Sequence, residues 1–217
     1  MLIGKDWQMV SNRLQEKYDY HAQDRTSDMW FHFPLLKSLA HDCNVIMELG
    51  TRSIVSTWAF LHGLANSKER VVLVEESRKQ LTYGPAKALW SFDIFPPSEH
   101  GANVEEVFEI AKENEVEWLL KIEDTLETEL PECDLIFFDT DHNYKQLSEQ
   151  LKLHGNKARK YLVFHDTMKY ATELVPAINE FLDSNTDWSV LHCENACHGL
   201  TALVKAPPEK IDSWFKK

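Results

Sequence analysis

A chain of 217 residues, 43% apolar and 27% charged, has the length and balance of one globular domain with a substantial core. Its formal net charge of −12, spread along the chain with no lysine- or arginine-rich run, would repel a phosphate backbone, which argues against nucleic acid as a partner. No apolar stretch reaches membrane-spanning length, Met1 to Trp7 lack the apolar core of a signal peptide, and the four scattered cysteines read as free thiols, so a cytoplasmic protein with no membrane partner is expected.

From the N-terminus, Trp7 to about Tyr20 has helical spacing, with Trp7, Val10, Leu14 and Tyr18 on one side. A second helix fits Phe31 to Ala40, with Pro34 in its first turn, where proline is tolerated. Residues 1–40 thus read as helices outside a sheet. Val45-Ile46-Met47 is a short buried strand running into Glu48-Leu49-Gly50-Thr51-Arg52-Ser53, and Ser56 to Leu64 is the next helix. Strand, acid, glycine and helix start in that order suit a nucleotide-type turn, in which glycine admits a ligand close to the backbone and free N–H groups face an anionic group. A lone glycine is also compatible with a plain strand-to-helix connection.

Two runs compete for the second strand. Val71 to Val74 ends in Glu75-Glu76, and Leu89-Trp90-Ser91-Phe92 ends in Asp93. Either acid could accept two ribose hydroxyls, since a carboxylate takes two hydrogen bonds at once. A helix near Val104 to Lys112 leads to a third strand, Trp118 to Ile122, closed by Glu123-Asp124-Thr125.

Leu135-Ile136-Phe137-Phe138 is a continuous apolar run, as expected of a strand buried on both faces, and it enters Asp139-Thr140-Asp141-His142. Tyr144 to Leu153 is helical, with Leu147, Leu151 and His154 on its buried stripe. A further strand, Tyr161 to Phe164, ends the same way, in His165-Asp166-Thr167. In an open parallel sheet, ligands bind beyond the carboxyl ends of the strands. Any one of these polar residues could simply cap a turn. Four of them at the ends of two neighbouring strands make a site.

Pro176 to Leu182 is the last helix, with the proline at its start. Trp188 to Leu191 and Leu200 to Val204 read as a closing hairpin; the His192-Cys193 and Cys197-His198 pairs in its loop match no standard zinc spacing. A tail, residues 206–217, carries Trp214-Phe215, which could pack on the domain or on a partner and leaves a homo-oligomer open.

The stretch Glu48 to Thr57 resembles the first motif of class I S-adenosylmethionine-dependent methyltransferases, and Asp28-Met29-Trp30-Phe31-His32-Phe33-Pro34-Leu35-Leu36 resembles the lead-in helix of a subgroup with polar, often sugar-like acceptors. The likeness continues through Asp134 to Asp139 and Phe164 to Thr167 to Gly199-Leu200-Thr201-Ala202-Leu203, covering roughly residues 28 to 205. It implies an α/β, Rossmann-like doubly wound sheet over residues 41–205, mostly parallel with an antiparallel C-terminal hairpin strand, and helices on both faces. It also implies S-adenosylmethionine as cofactor, held around Glu48, Gly50, Thr51 and Ser56. Asp93 is the preferred ribose acid, because Asp93 to Pro97, the helix near Val104 and Val116-Glu117-Trp118 resemble the family's block from second to third strand. Ser67 to Lys87 then becomes an insertion with an extra strand, and Glu75 remains the rival. Asp124 would reach the adenine amino group. Ile54 stands where the family usually has glycine, which implies a looser or shifted turn.

Metal-dependent O-methyltransferases are similar at both strand ends. The resemblance implies Asp139, His165 and Asp166 as ligands of a divalent metal cation, magnesium or manganese, and His142 as general base, with Asp141 as substitute ligand if the turn is shifted. The subgroup commonly has an acid or amide at the position of His165, which could therefore bind the metal or only support its ligands. The expected function is O-methylation of a sugar or glycan hydroxyl. Phenol or catechol methylation is an alternative; so is a non-catalytic binding protein that keeps the fold, a reading Ile54 holds open.

Overall fold

Cys133–Phe138 (β4) is buried at every residue, because the sheet carries a helical layer on each face. The computed structural model describes residues 10–67 and 87–205. Around β4 lie β1 (Val45–Leu49), β2 (Ala88–Asp93), β3 (Glu117–Ile122), β5 (Ala158–His165), β6 (Trp188–Glu194) and β7 (Leu200–Lys205), in the order β3-β2-β1-β4-β5-β7-β6. The first five strands are parallel; β7 runs antiparallel to β5, and β6 to β7. The direction of winding reverses between β1 and β4. That switch point opens a crevice beyond their carboxyl ends, between Gly50 and Asp139.

Period-2 alternation splits the strands between two cores. Ile46 and Phe137 face α1 (Asn12–Gln23), α2 (Phe33–His41), α3 (Val55–Ala65) and α4 (Val104–Glu113), through Leu14, Phe33, Phe60 and Ile110. Met47 and Phe138 face α5 (Tyr144–His154) and α6 (Ala171–Ser184), through Leu147, Leu151 and Phe181. The start of β1 is tied to β4 by Asp134, whose Oδ2 accepts from the N–H groups of Asn44 and Val45 at 2.8 and 3.2 Å.

The N-terminal helix begins later than its spacing suggests. Ser11 caps it, accepting from the Leu14 N–H at 3.3 Å, worth about 1 kcal/mol, and Trp7 lies outside the described residues. Trp30–His32 forms a 3-10 turn, so α2 starts at Phe33, with Pro34 in its first turn as expected. Pro176 is not a helix start: α6 already begins at Ala171. The carbonyl that loses its partner belongs to Thr172, which is exposed and can turn to water. The choice of Leu89 to Asp93 as the strand beside β1 agrees with the pairing. Val71 to Val74, Glu75 and the tail lie outside the described residues. All four cysteines are free, and no described helix is long and apolar enough to cross a membrane.

A fully buried amide, Gln150 of α5, joins two loops at the carboxyl edge. Its Nε2 donates to Thr125 Oγ1 at 2.7 Å, and its Oε1 accepts from Thr140 Oγ1 at 3.0 Å.

Candidate active site

At the end of β1, Gly50 has φ +90°, and a Cβ added there would lie 2.0 Å from the carbonyl oxygen of Asp139. Backbone approach between β1 and β4 therefore requires this glycine before any ligand is considered. The turn beyond it is tight, with the Ile54 N–H bonded to the Thr51 carbonyl at 2.8 Å. Ile54 adopts φ 64°, ψ 31°, the left-handed conformation that branched residues avoid, and its side chain is 1% exposed. So the turn is not loosened: isoleucine takes a glycine-like backbone, at a cost of roughly 1–2 kcal/mol, and is held there by core packing.

Asp93 reaches across to this turn. Its Oδ2 accepts from the N–H groups of Thr51 and Arg52 at 2.9 and 2.7 Å, and its Oδ1 from Phe95 at 3.0 Å. Thr51 is buried and donates its hydroxyl to the Phe92 carbonyl. The side chains of Glu48 and Ser56 are buried and bonded to each other. The fully enclosed Glu48 carboxylate accepts from the hydroxyls of Ser56, Thr57 and Ser91 at 2.6 to 2.8 Å, and Trp118 Nε1 in turn donates to Ser91. Burial outweighs those bonds and pushes the Glu48 carboxyl up to about 7. Asp124 caps its own turn, accepting from the Leu126 N–H at 2.8 Å.

The ends of β4 and β5 bring Asp139, His142, His165 and Asp166 together. His142 Nε2 lies 2.8 Å from Asp166 Oδ2 and 3.4 Å from Asp139 Oδ1, and its ring stacks on Tyr170 at 4.6 Å. Hydrogen bonds to Asp139 and Asp166 raise His142 to about 9, against the pull of burial. Burial works against ionisation of Asp139, yet His142 and His165 win and hold its carboxyl below the usual range. Asp166 is lowered in the same way, burial being overcome by His142 and His165. Asp141 is exposed and outside the group.

His165 is almost fully buried, with an oxygen acceptor at each ring nitrogen: Asp139 Oδ1 at 3.2 Å from Nδ1, and the Cys197 carbonyl at 3.3 Å from Nε2. A neutral ring has one proton for these two acceptors. With Asp139 ionised, both hydrogen bonds form together only on a cationic ring. Burial disfavours the charge, but the hydrogen bond and field of Asp139 and the field of Asp166 raise its pKa nonetheless.

Three residues in the site, His198, Asp28 and His32, were not picked out as ligands by sequence reasoning. His198, from the hairpin loop, places Nδ1 at 3.1 Å from both Asp166 Oδ1 and Asp28 Oδ2. His32 Nε2 lies 3.1 Å from the Cys197 carbonyl. The hairpin expected at residues 188–204 is present, and its loop folds onto the β5 end through bonds from the Met168 and Lys169 N–H groups to the His198 carbonyl. Gly199 makes this fit possible: φ is +92° and an added Cβ would meet Met168 at 2.5 Å. The one sequence signal was Gly199 itself, directly after a histidine. The donor atoms fall into two groups, Asp139–His142–Asp166 and Asp28–Asp166–His198, each within 4.8 Å.

A doubly wound sheet in this strand order, closed by an antiparallel hairpin, is the fold of class I methyltransferases. Among solved structures the chain is similar to the O-methyltransferase TomG of Streptomyces achromogenes in complex with SAM (TM-score 0.56, 14% identity, 95% of this chain and 93% of that one). It is also similar to the methyltransferase PaMTH1 of Podospora anserina with SAH bound (0.54, 16%, 91% and 89%). A third is an O-methyltransferase of Bacillus cereus in complex with SAH (0.53, 15%, 94% and 94%). At these identities the likeness speaks for the fold. No protein-family model and no curated protein matches the sequence.

Proposed function

We propose that this chain is an S-adenosylmethionine-dependent O-methyltransferase acting on a hydroxyl of a sugar or glycan, with a divalent cation and His142 at the reacting end. One observation carries the reading: Asp139, His142, His165 and Asp166 converge at the carboxyl ends of β4 and β5, beside the switch point of a methyltransferase fold. The sugar acceptor rests on the resemblance of the lead-in segment alone.

The residues fit both groups. At the β1 end, α3 starts at an N-cap that offers no side-chain hydrogen bond, so its first N–H groups remain for a ligand. Asp93 uses three of roughly four lone-pair directions on backbone N–H groups, which leaves one for a ribose hydroxyl. At the β4 and β5 ends, the oxygen and imidazole donors of Asp139, Asp166 and His165 would hold magnesium or manganese. When bound, S-adenosylmethionine supplies a methyl carbon on a sulfonium, and the cation would acidify and orient the accepting hydroxyl.

The chain's own contribution is positioning and proton removal. Asp139 and Asp166 fix the acceptor end, and His165 fixes Asp139. Hydrogen bonds to Asp139 and Asp166 favour the protonated ring of His142, and an imidazolium is no base. With a cation held by Asp139 and Asp166, both carboxylates would be taken from His142, whose Nε2 would then be free to accept the proton of the hydroxyl.

Calorimetry with S-adenosylmethionine, followed by transfer of labelled methyl to neutral sugars and to catechols, tests the proposal. Cofactor binding, transfer to a sugar, loss in chelator and recovery on adding magnesium or manganese are expected. Asp139→Asn should abolish transfer while the cofactor still binds. A preference for catechols would replace the acceptor; turnover in chelator would remove the cation; and absence of cofactor binding would leave a binding protein.

A further inference from the structure

The Asp166 carboxylate is 4% exposed and faces two ways. Oδ2 meets His142, whereas Oδ1 is buried and has no hydrogen-bond partner among the described residues. A buried carboxylate oxygen without a donor is costly, on the scale of a lost charged hydrogen bond. Its neighbour at 3.1 Å, His198 Nδ1, is buried and equally unbonded, and Asp28 Oδ2 lies 3.1 Å from the same nitrogen. The three atoms come from three separate places: the lead-in to α2, the end of β5 and the hairpin loop.

Two of them sit on strained backbone. Asp166 has φ 60° and His198 φ 68°, both left-handed without being glycine. Donors that each lie about 2.1 Å from a common ion sit about 3 Å apart around six-coordinate metal and ~3.4 Å apart around tetrahedral metal. The two 3.1 Å separations match that spacing, while neither contact forms a hydrogen bond at either buried atom.

We propose that Asp28, Asp166 and His198 form a second divalent-cation site, in which Asp166 bridges to the cation held at Asp139. The second site stands whether or not the chain transfers methyl groups; only the bridging rests on the proposed cation at Asp139. Two carboxylates and one imidazole suit manganese, iron or zinc better than magnesium. Three protein ligands leave positions open for water or an acceptor oxygen. Two ions sharing one carboxylate would lie roughly 3.5–4 Å apart, a spacing that can clamp two oxygens of one ligand.

Manganese binding to the full chain, counted by electron paramagnetic resonance and elemental analysis after desalting, decides the matter. The wild type should retain two equivalents, with the signal broadened by coupling between the ions. His198→Ala and Asp28→Asn should each retain one uncoupled equivalent, and Asp139→Asn should lose the other. Thermal melts of the variants verify folding, and Asp28→Asn, on a half-exposed side chain of unchanged size, guards against misfolding in His198→Ala. One equivalent in the wild type, unaffected at Asp28 and His198 but lost in Asp139→Asn, overturns the second site and keeps the first. One equivalent lost at Asp28 or His198 but not at Asp139 supports the second site and removes the bridge. No retained manganese overturns both.

Discussion

Gly50 and Asp139 touch through their backbones, a Cβ on the glycine falling 2.0 Å from the aspartate carbonyl oxygen. Gly50→Ala should therefore push apart the ends of β1 and β4, in addition to straining a φ of +90°. A loss of about 3 kcal/mol in urea unfolding is expected, in the range of severe backbone substitutions. Because Asp139 moves with it, lost cofactor binding in a Gly50 variant would not by itself locate the cofactor.

Ile54 offers a cleaner probe of the turn. Both truncations lose the burial of a side chain that is 1% exposed, at roughly 2–4 kcal/mol. Glycine alone also removes the left-handed strain. Ile54→Gly should consequently be more stable than Ile54→Ala by about 1 kcal/mol, the order expected at a helix N-cap and the reverse of that in a helix interior. Equal stabilities, or alanine ahead, would show that the backbone relaxes out of the left-handed region.

His142 should make the metal-free protein sensitive to base. Its folded-state pKa, about 9, lies above the ordinary 6.5, so the pair with Asp166 contributes fully below pH 6.5 and is lost as pH rises through 9. With the ring partly solvated, about 2 kcal/mol is at stake. Urea melts in chelator at pH 6.5 and 9 should show this loss in the wild type and a smaller one in His142→Gln.

Glu48 tilts the stability curve in a lower window. Its folded-state pKa of about 7 exceeds the ordinary 4.5, so burial favours the protonated acid. Stability from this group is full below pH 4.5 and falls by roughly 3 kcal/mol as pH climbs to 7. His62 works oppositely: buried and held down to about 4, it contributes above pH 6.5 and is lost as pH falls through 4. The difference between Glu48→Gln and wild type isolates the first effect. That difference should shift toward the variant as pH rises from 4.5 to 7, and a flat difference would mean that the three hydroxyls keep Glu48 ionised.

The sheet was legible because burial on both faces writes continuous apolar runs, and each of Leu135 to Phe138 and Tyr161 to Phe164 fell inside a strand. The polar residues at the ends of those runs were legible for the same reason, since the strand end fixes where Asp139 and Asp166 emerge. Pro176 misled because proline's preference for helix starts does not forbid a later turn whose freed carbonyl meets water. His198 and Asp28 could not be read at all as partners of Asp166. Their meeting depends on a hairpin loop folding back through Cys197, His198 and Gly199, all with positive φ, and nothing in side-chain periodicity encodes that. Glu48 and Ser56 fit the motif, but their depth is decided by Ser91 and Trp118 on neighbouring strands.

Gln150 acts as a strut between the loop after β3 and the loop after β4, with one amide group gripping Thr125 at one end and Thr140 at the other. Either loop can shift alone only by breaking one of these hydrogen bonds, the one to Thr125 buried and the one to Thr140 part-buried, at about 1–3 kcal/mol. Asp124 and Asp139 directly precede the two gripped threonines, so one side chain couples the two loop rims at the carboxyl edge. A tug on the outer rim reaches the inner one without any rearrangement of the sheet between them.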